Sequence, residues 1–140
     1  MKIQAEVILN LKRDGATSTL LILDEEVYIL LDCGLNSNLD FSAYHKNLDL
    51  LSKVEIILLS HVGSEYVGAL PFLLNSRQIA GSTNKSIKIY STTPVMKLGL
   101  FNAYNQYLNA QLLSNMEEAQ DSLSVERGFK KFYAAYDKCK

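Results

Sequence analysis

The order of apolar runs along this chain predicts an α/β fold built as a single domain. Short apolar stretches rich in β-compatible side chains come first, joined by tight polar turns. After them, brief apolar runs alternate with segments whose apolar residues recur every three or four positions, the spacing of an amphipathic helix. Strands followed by strand–helix alternation fit helices layered on a sheet better than a bundle or an all-β fold.

Residues Val7–Leu11 and Leu20–Leu23 read as strands around the turn Lys12-Arg13-Asp14-Gly15. Val27–Leu31 is a third strand, set off by Asp24-Glu25-Glu26, and Asp32-Cys33-Gly34 closes this antiparallel ladder. Phe41, Tyr44, Leu48 and Leu51 outline about three turns of helix, with Ser37 or Asn38 as its cap. The strand Val54–Leu59 follows, and its crossover from the preceding strand is right-handed if the two lie parallel. Pro71 suits the first turn of a helix over Phe72–Gln78. Gly81-Ser82-Thr83-Asn84 breaks the chain before the strand Ile87–Tyr90. Thr92-Thr93-Pro94 starts a long helix whose apolar face is Val95, Leu98, Phe101, Tyr104 and Leu108. Ser114–Asp121 reads as a loop, and Val125, Phe129, Phe132 and Tyr136 as a last helix.

The 140 residues suffice for one hydrophobic core, and 48% hydrophobic with 21% charged content is that of a globular protein. No apolar run nears the roughly 20 residues of a membrane span, and the first residues lack a secretory-signal pattern. A net charge of −1 supplies no basic field for nucleic acid. Lys130, Lys131, Lys138 and Lys140 are most simply a solvated helix face. Cys33 and Cys139 form no metal or disulfide spacing, so Cys33 reads as a small buried hydrophobe and the compartment as reducing.

The chemistry-bearing stretch begins where the strand Val54–Leu59 gives way to Ser60-His61-Val62-Gly63-Ser64-Glu65-Tyr66-Val67-Gly68. Loops at the carboxyl ends of strands in α/β sheets are where reactive groups are placed. No Gly-x-Ser-x-Gly elbow and no phosphate-cradling glycine loop occurs. His45, on a helix, reads as a surface or capping residue, and no histidine follows His61.

The loop resembles the zinc loop of the metallo-β-lactamase fold, whose signature is His-x-His-x-Asp-His with a glycine after it. The four signature positions fall on His61, Gly63, Glu65 and Tyr66, with Gly68 beyond. A catalytic zinc needs about three protein ligands and an open site. His61 could serve as one. Gly63 has no donor, Glu65 keeps a carboxylate one methylene longer, and Tyr66 would have to ionise from an ordinary pKa of about 10.

Ile-Leu-Leu-Asp32-Cys33-Gly34 resembles the first motif of the β-CASP branch of metallo-β-lactamase proteins, and Ser60-His61 through Gly68-Ala69-Leu70-Pro71 the second. Ile89-Tyr90-Ser91-Thr92-Thr93-Pro94-Val95 with Lys97-Leu98-Gly99 is similar to the segment that follows. With the degenerate zinc loop, this run is similar to the catalytically inactive large subunit of the cleavage and polyadenylation specificity factor. The resemblance implies a metallo-β-lactamase-like αββα sandwich, with residues 1–140 as the amino-terminal part of that domain. It implies a nuclear, non-catalytic subunit of pre-mRNA 3′-end processing, without metal or other cofactor. That subunit pairs with the active β-CASP endonuclease and other factor subunits, meets RNA through the complex, and touches no membrane. Asp32, a support of the metal site in active relatives, is expected here to hold loop backbone amides. The alternatives are a divergent zinc-dependent hydrolase or nuclease with ligands beyond residue 140, and the equivalent inactive Integrator subunit.

Overall fold

A computed structural model describes residues 1–10, 15–79 and 86–114. The expected turn at 12–14, the break at Gly81–Asn84, the last helix, the lysine-rich segment and Cys139 lie outside the described residues. The expected loop from Ser114 is outside as well, except that Ser114 itself ends a helix.

Five strands form one sheet in chain order: β1 (Ile3–Asn10), β2 (Thr17–Leu23), β3 (Val27–Leu31), β4 (Ile56–Leu58) and β5 (Lys88–Tyr90). The first three pair antiparallel, while β3–β4 and β4–β5 are parallel. The β2–β3 turn holds Asp24 and Glu25 at φ 50° and 62°, closed by the Glu26 N–H on the Leu23 carbonyl at 3.0 Å. Positive φ at both central residues gives a turn the twist that two hairpin strands require.

Leu20, Leu30 and Ile57 stand abreast across the sheet and are fully buried. They belong to one core with Val54, just ahead of β4, and with Tyr44, Leu51, Val67, Leu70, Leu73 and Ala103 from the helical layer. Alternation sends the neighbouring row, Leu21, Ile29 and Ile56, to the opposite face, where it is half-buried.

The helical layer contains α1 (Ser42–Lys46), α2 (Leu48–Leu51), α3 (Ser64–Val67), α4 (Leu70–Ile79), a π-helical turn (Val95–Gly99) and α5 (Leu100–Ser114). Outside the loop after β4, it departs from the sequence expectations in three places. The helix over Phe41–Leu51 is two short ones, because Asn47 leaves helical geometry (φ −111°, ψ 16°) and its side chain donates to the Ala43 carbonyl at 2.8 Å. Its start is tied by Asp40, which accepts the Ser42 N–H at 2.8 Å and hydroxyl at 2.9 Å, rather than by Ser37 or Asn38. The Asp40 carboxyl is correspondingly held below the usual range, chiefly by the backbone bond from Ser42.

The third departure is in the long helix after Pro94. Its opening residues wind as a π-helix, which needs one more residue per turn than sequence periodicity assumes. The buried face therefore steps from Val95 to Gly99 and Leu100, then to Ala103 and Tyr104. Leu98 and Phe101, expected in the core, are 59% and 63% exposed.

Candidate functional site

The parallel register Leu31↔Leu58 sets the carboxyl ends of β3 and β4 side by side, so the residues after them meet. Asp32 follows β3 at φ 57°, a left-handed conformation in which its own N–H still reaches the Leu58 carbonyl at 2.9 Å. Such a backbone is uncommon outside glycine, asparagine and aspartate, and it turns the carboxylate across to the next strand. There Asp32 Oδ1 accepts the Ser60 N–H at 2.8 Å, and Oδ2 accepts the Ser60 hydroxyl at 2.7 Å. Ser60 Oγ also lies 2.8 Å from His61 Nδ1. The His61 ring stacks on Tyr66, with centroids 4.4 Å apart.

The turn that carries Gly63–Gly68 is stitched to the Cys33–Leu35 backbone. Cys33 N–H donates to the Tyr66 carbonyl at 2.6 Å, Leu35 N–H to Ser64 at 3.0 Å, and Ala69 N–H to Cys33 at 2.9 Å. This close approach requires Gly34, where a Cβ would land on the Glu65 carbonyl and lie 2.8 Å from the Thr17 carbonyl. Beneath it, the buried Tyr44 hydroxyl donates to the Gly34 carbonyl at 2.6 Å. Cys33 is fully enclosed, and burial pushes its thiol up to about 12. Burial, with Cys33 beside it, also raises Tyr44 well above the ordinary phenol range. From the other side, Asn102 Nδ2 donates to the Val62 carbonyl at 2.9 Å.

The sequence expectations about these residues meet a definite geometry. Asp32 holds one loop amide, that of Ser60, and the hydroxyl of the same residue. Cys33 is the buried small side chain expected. His45 is exposed and packs edge-on against Phe72, centroids 4.7 Å apart. Sequence reasoning placed Ser60 in the second motif and found no nucleophile elbow around it, but missed its place between Asp32 and His61. It read the residues after Gly63 as loop, although Ser64–Val67 form a helical turn. No local signal reveals the Asp32–Ser60 pair, since 28 residues separate them and only strand register joins them.

The donor set does not fit a zinc centre. His61 and Glu65 are the metal-compatible side chains among the four signature positions. A Cβ at Gly63 would collide with the Glu65 carboxylate, so Glu65 has folded into the room a ligand at position 63 would use. Tyr66 is occupied as the stacking partner of His61. Among the described residues, no cluster of three or more His, Cys, Asp or Glu could hold a metal ion.

Residues 20–140 match the sequence family described as "Metallo-beta-lactamase superfamily domain". The chain belongs to the metallo-β-lactamase superfamily. Within it, the chain is similar to the cleavage and polyadenylation specificity factor subunit 2 of Arabidopsis thaliana, at 32% identity over 88 residues, 63% of this chain and 11% of that relative. The probable subunit 2 of Drosophila melanogaster is 32% identical over 85 residues, 61% of this chain and 10% of the relative. That of Caenorhabditis elegans is 28% identical over 103 residues, 74% of this chain and 11% of the relative. The chain thus spans about a tenth of the length of these curated relatives. Among solved structures it resembles human tRNase Z, short form, with a TM-score of 0.53 and 16% identity, covering 77% of this chain and 40% of that one. This likeness bears on fold alone, and it bears out the metallo-β-lactamase-like architecture that the motifs implied.

Proposed function

We propose that this metallo-β-lactamase chain serves pre-mRNA 3′-end cleavage and polyadenylation as a non-catalytic subunit. In this reading residues 1–140 are the amino-terminal part of the superfamily domain. It works in the nucleus as scaffold and heterodimer partner of the active β-CASP endonuclease, among other factor subunits, with RNA met through the complex. The observation that carries the proposal is the state of the loop after β4. Its backbone is packed with hydrogen bonds and glycine contacts, yet the signature positions hold His61, Gly63, Glu65 and Tyr66, a set too poor in donors for a dinuclear centre. Retained shape with lost ligands is what a structural role permits. Similarity to subunit 2 of the specificity factor supports the choice of complex.

Two measurements test the reading. Affinity capture of the tagged chain from nuclear extract is expected to recover the endonuclease subunit in stoichiometric amount, and its absence counts against the heterodimer. Metal analysis of the purified protein is expected to find no stoichiometric zinc. Tightly held zinc together with RNA cleavage would overturn the non-catalytic assignment.

A further inference from the structure

The link between Asp32 and His61 runs through a single hydroxyl proton, and counting protons fixes the state of the imidazole. Ser60 Oγ lies 2.7 Å from Asp32 Oδ2 and 2.8 Å from His61 Nδ1. A serine hydroxyl has one proton and two lone pairs, whereas a carboxylate has lone pairs only. If the proton went to His61, the oxygens of Ser60 and Asp32 would face each other at 2.7 Å with nothing between them. The proton therefore goes to the carboxylate, a charge-assisted bond of ordinary length. His61 Nδ1 then faces a lone pair of Ser60, and must bring a proton of its own.

We propose that Asp32, acting through Ser60, holds the neutral His61 ring as its Nδ1–H tautomer and so leaves Nε2 as an outward hydrogen-bond acceptor. Which nitrogen of a histidine carries the proton is set by the bond the other atoms impose. Stacking on Tyr66 holds the plane of the ring, His61 is exposed, and no described residue bonds Nε2. The ligand class such an atom recognises is a group donating N–H or O–H, such as an amide, hydroxyl or protonated amine of a partner. Asp32 and Ser60 are positioning residues in this scheme. The inference does not depend on the cleavage and polyadenylation reading, because it concerns a proton at one atom.

Ring nitrogen–proton correlation spectra of the 15N-labelled chain, recorded above the titration of the ring, test it. The chain has two histidines, so His45→Gln assigns the signals. The wild type is expected to favour Nδ1–H by about tenfold, the worth of a hydrogen bond within a charged network. Asp32→Asn gives the sharper outcome. Its carbonyl must take the Ser60 N–H that Oδ1 now accepts, which aims the amide NH2 at Ser60 Oγ. The hydroxyl proton then turns to His61 Nδ1, and the tautomer ratio inverts to Nε2–H. Ser60→Ala removes the link, and the Nδ1–H preference disappears. A wild-type ring in the Nε2–H form would overturn the proposal, as would Asp32→Asn with an unchanged ratio. Should Asp32→Asn fail to fold, by its backbone amide spectrum, Ser60→Ala decides: a persisting Nδ1–H preference refutes the relay.

Discussion

Gly34→Ala should destabilise the chain by about 2–4 kcal/mol, a value assembled from two effects. The added Cβ would strike the Glu65 carbonyl and lie 2.8 Å from that of Thr17, so backbone obstructs it on both sides and neither can rotate away. Overpacking of this kind costs about 1–3 kcal/mol. Relieving it moves the Gly63–Gly68 turn off the Cys33–Leu35 backbone, which weakens the Cys33–Tyr66 and Leu35–Ser64 bonds without breaking them and costs about 0.5–1.5 kcal/mol for the two together. At roughly 4 °C per kcal/mol for a chain of this size, the melting temperature falls by about 8–16 °C. Gly99→Ala is the matched control. There a Cβ meets Val67 Cγ1 at 3.6 Å and Val62 Cα at 3.7 Å, ordinary contacts, and alanine in a helix gains up to about 1 kcal/mol over glycine. Urea unfolding followed by circular dichroism, fitted with a common slope, compares the two. If Gly34→Ala unfolds at the same urea concentration as Gly99→Ala, the close docking of the turn is wrong.

The remaining predictions concern the groups beside that contact. Asp32→Ala loses both bonds to Ser60 and leaves alanine at φ 57°, so stability should fall by about 2–3 kcal/mol, and an unchanged melting curve would contradict it. In a Cys139→Ser background, Cys33 should react with a thiol reagent only at the rate of unfolding, because it is fully buried with its thiol pushed up to about 12; rapid labelling of the native chain argues against that enclosure. Cys33 and Tyr44 both bind their protons more tightly when folded. The Cys33 contribution is therefore complete below the ordinary thiol value of about 8.5 and is lost as pH rises toward about 12, while that of Tyr44 is complete below the ordinary phenol value of about 10 and declines above it. Denaturation midpoints over that range should decline, and Cys33→Ala should flatten the decline. Tyr44→Phe leaves the Gly34 carbonyl without its 2.6 Å donor at a buried position, which should cost about 1–2 kcal/mol by urea titration.

Much of the fold was legible because strand and helix leave different apolar periods. β3 falls on Val27–Leu31, where the apolar run after Asp24-Glu25-Glu26 placed it, and the residues of β5 and α4 lie within a few positions of the expected ones. Where the reading failed, a local rule met something nonlocal or unusual. The apolar spacing of Val95, Leu98 and Phe101 assumed 3.6 residues per turn, and one π-helical turn put Leu98 and Phe101 outside. The break at Asn47 depends on a side-chain bond to Ala43 that competes with the helix. In the site, the poverty of donors was visible in the bare residue types at His61, Gly63, Glu65 and Tyr66.

By itself, the sequence determined the alternation of elements, the buried character of Cys33 and the loss of ligand types after β4, since each follows from residue identity and short-range spacing. Tertiary structure alone decided that Asp32 meets Ser60 and that Gly34 must lack a side chain. Those facts depend on the parallel register of β3 with β4 and on how closely one turn lies on another. The reason is physical: such distances are set by strand pairing and packing between residues far apart in the chain, and no local propensity encodes them.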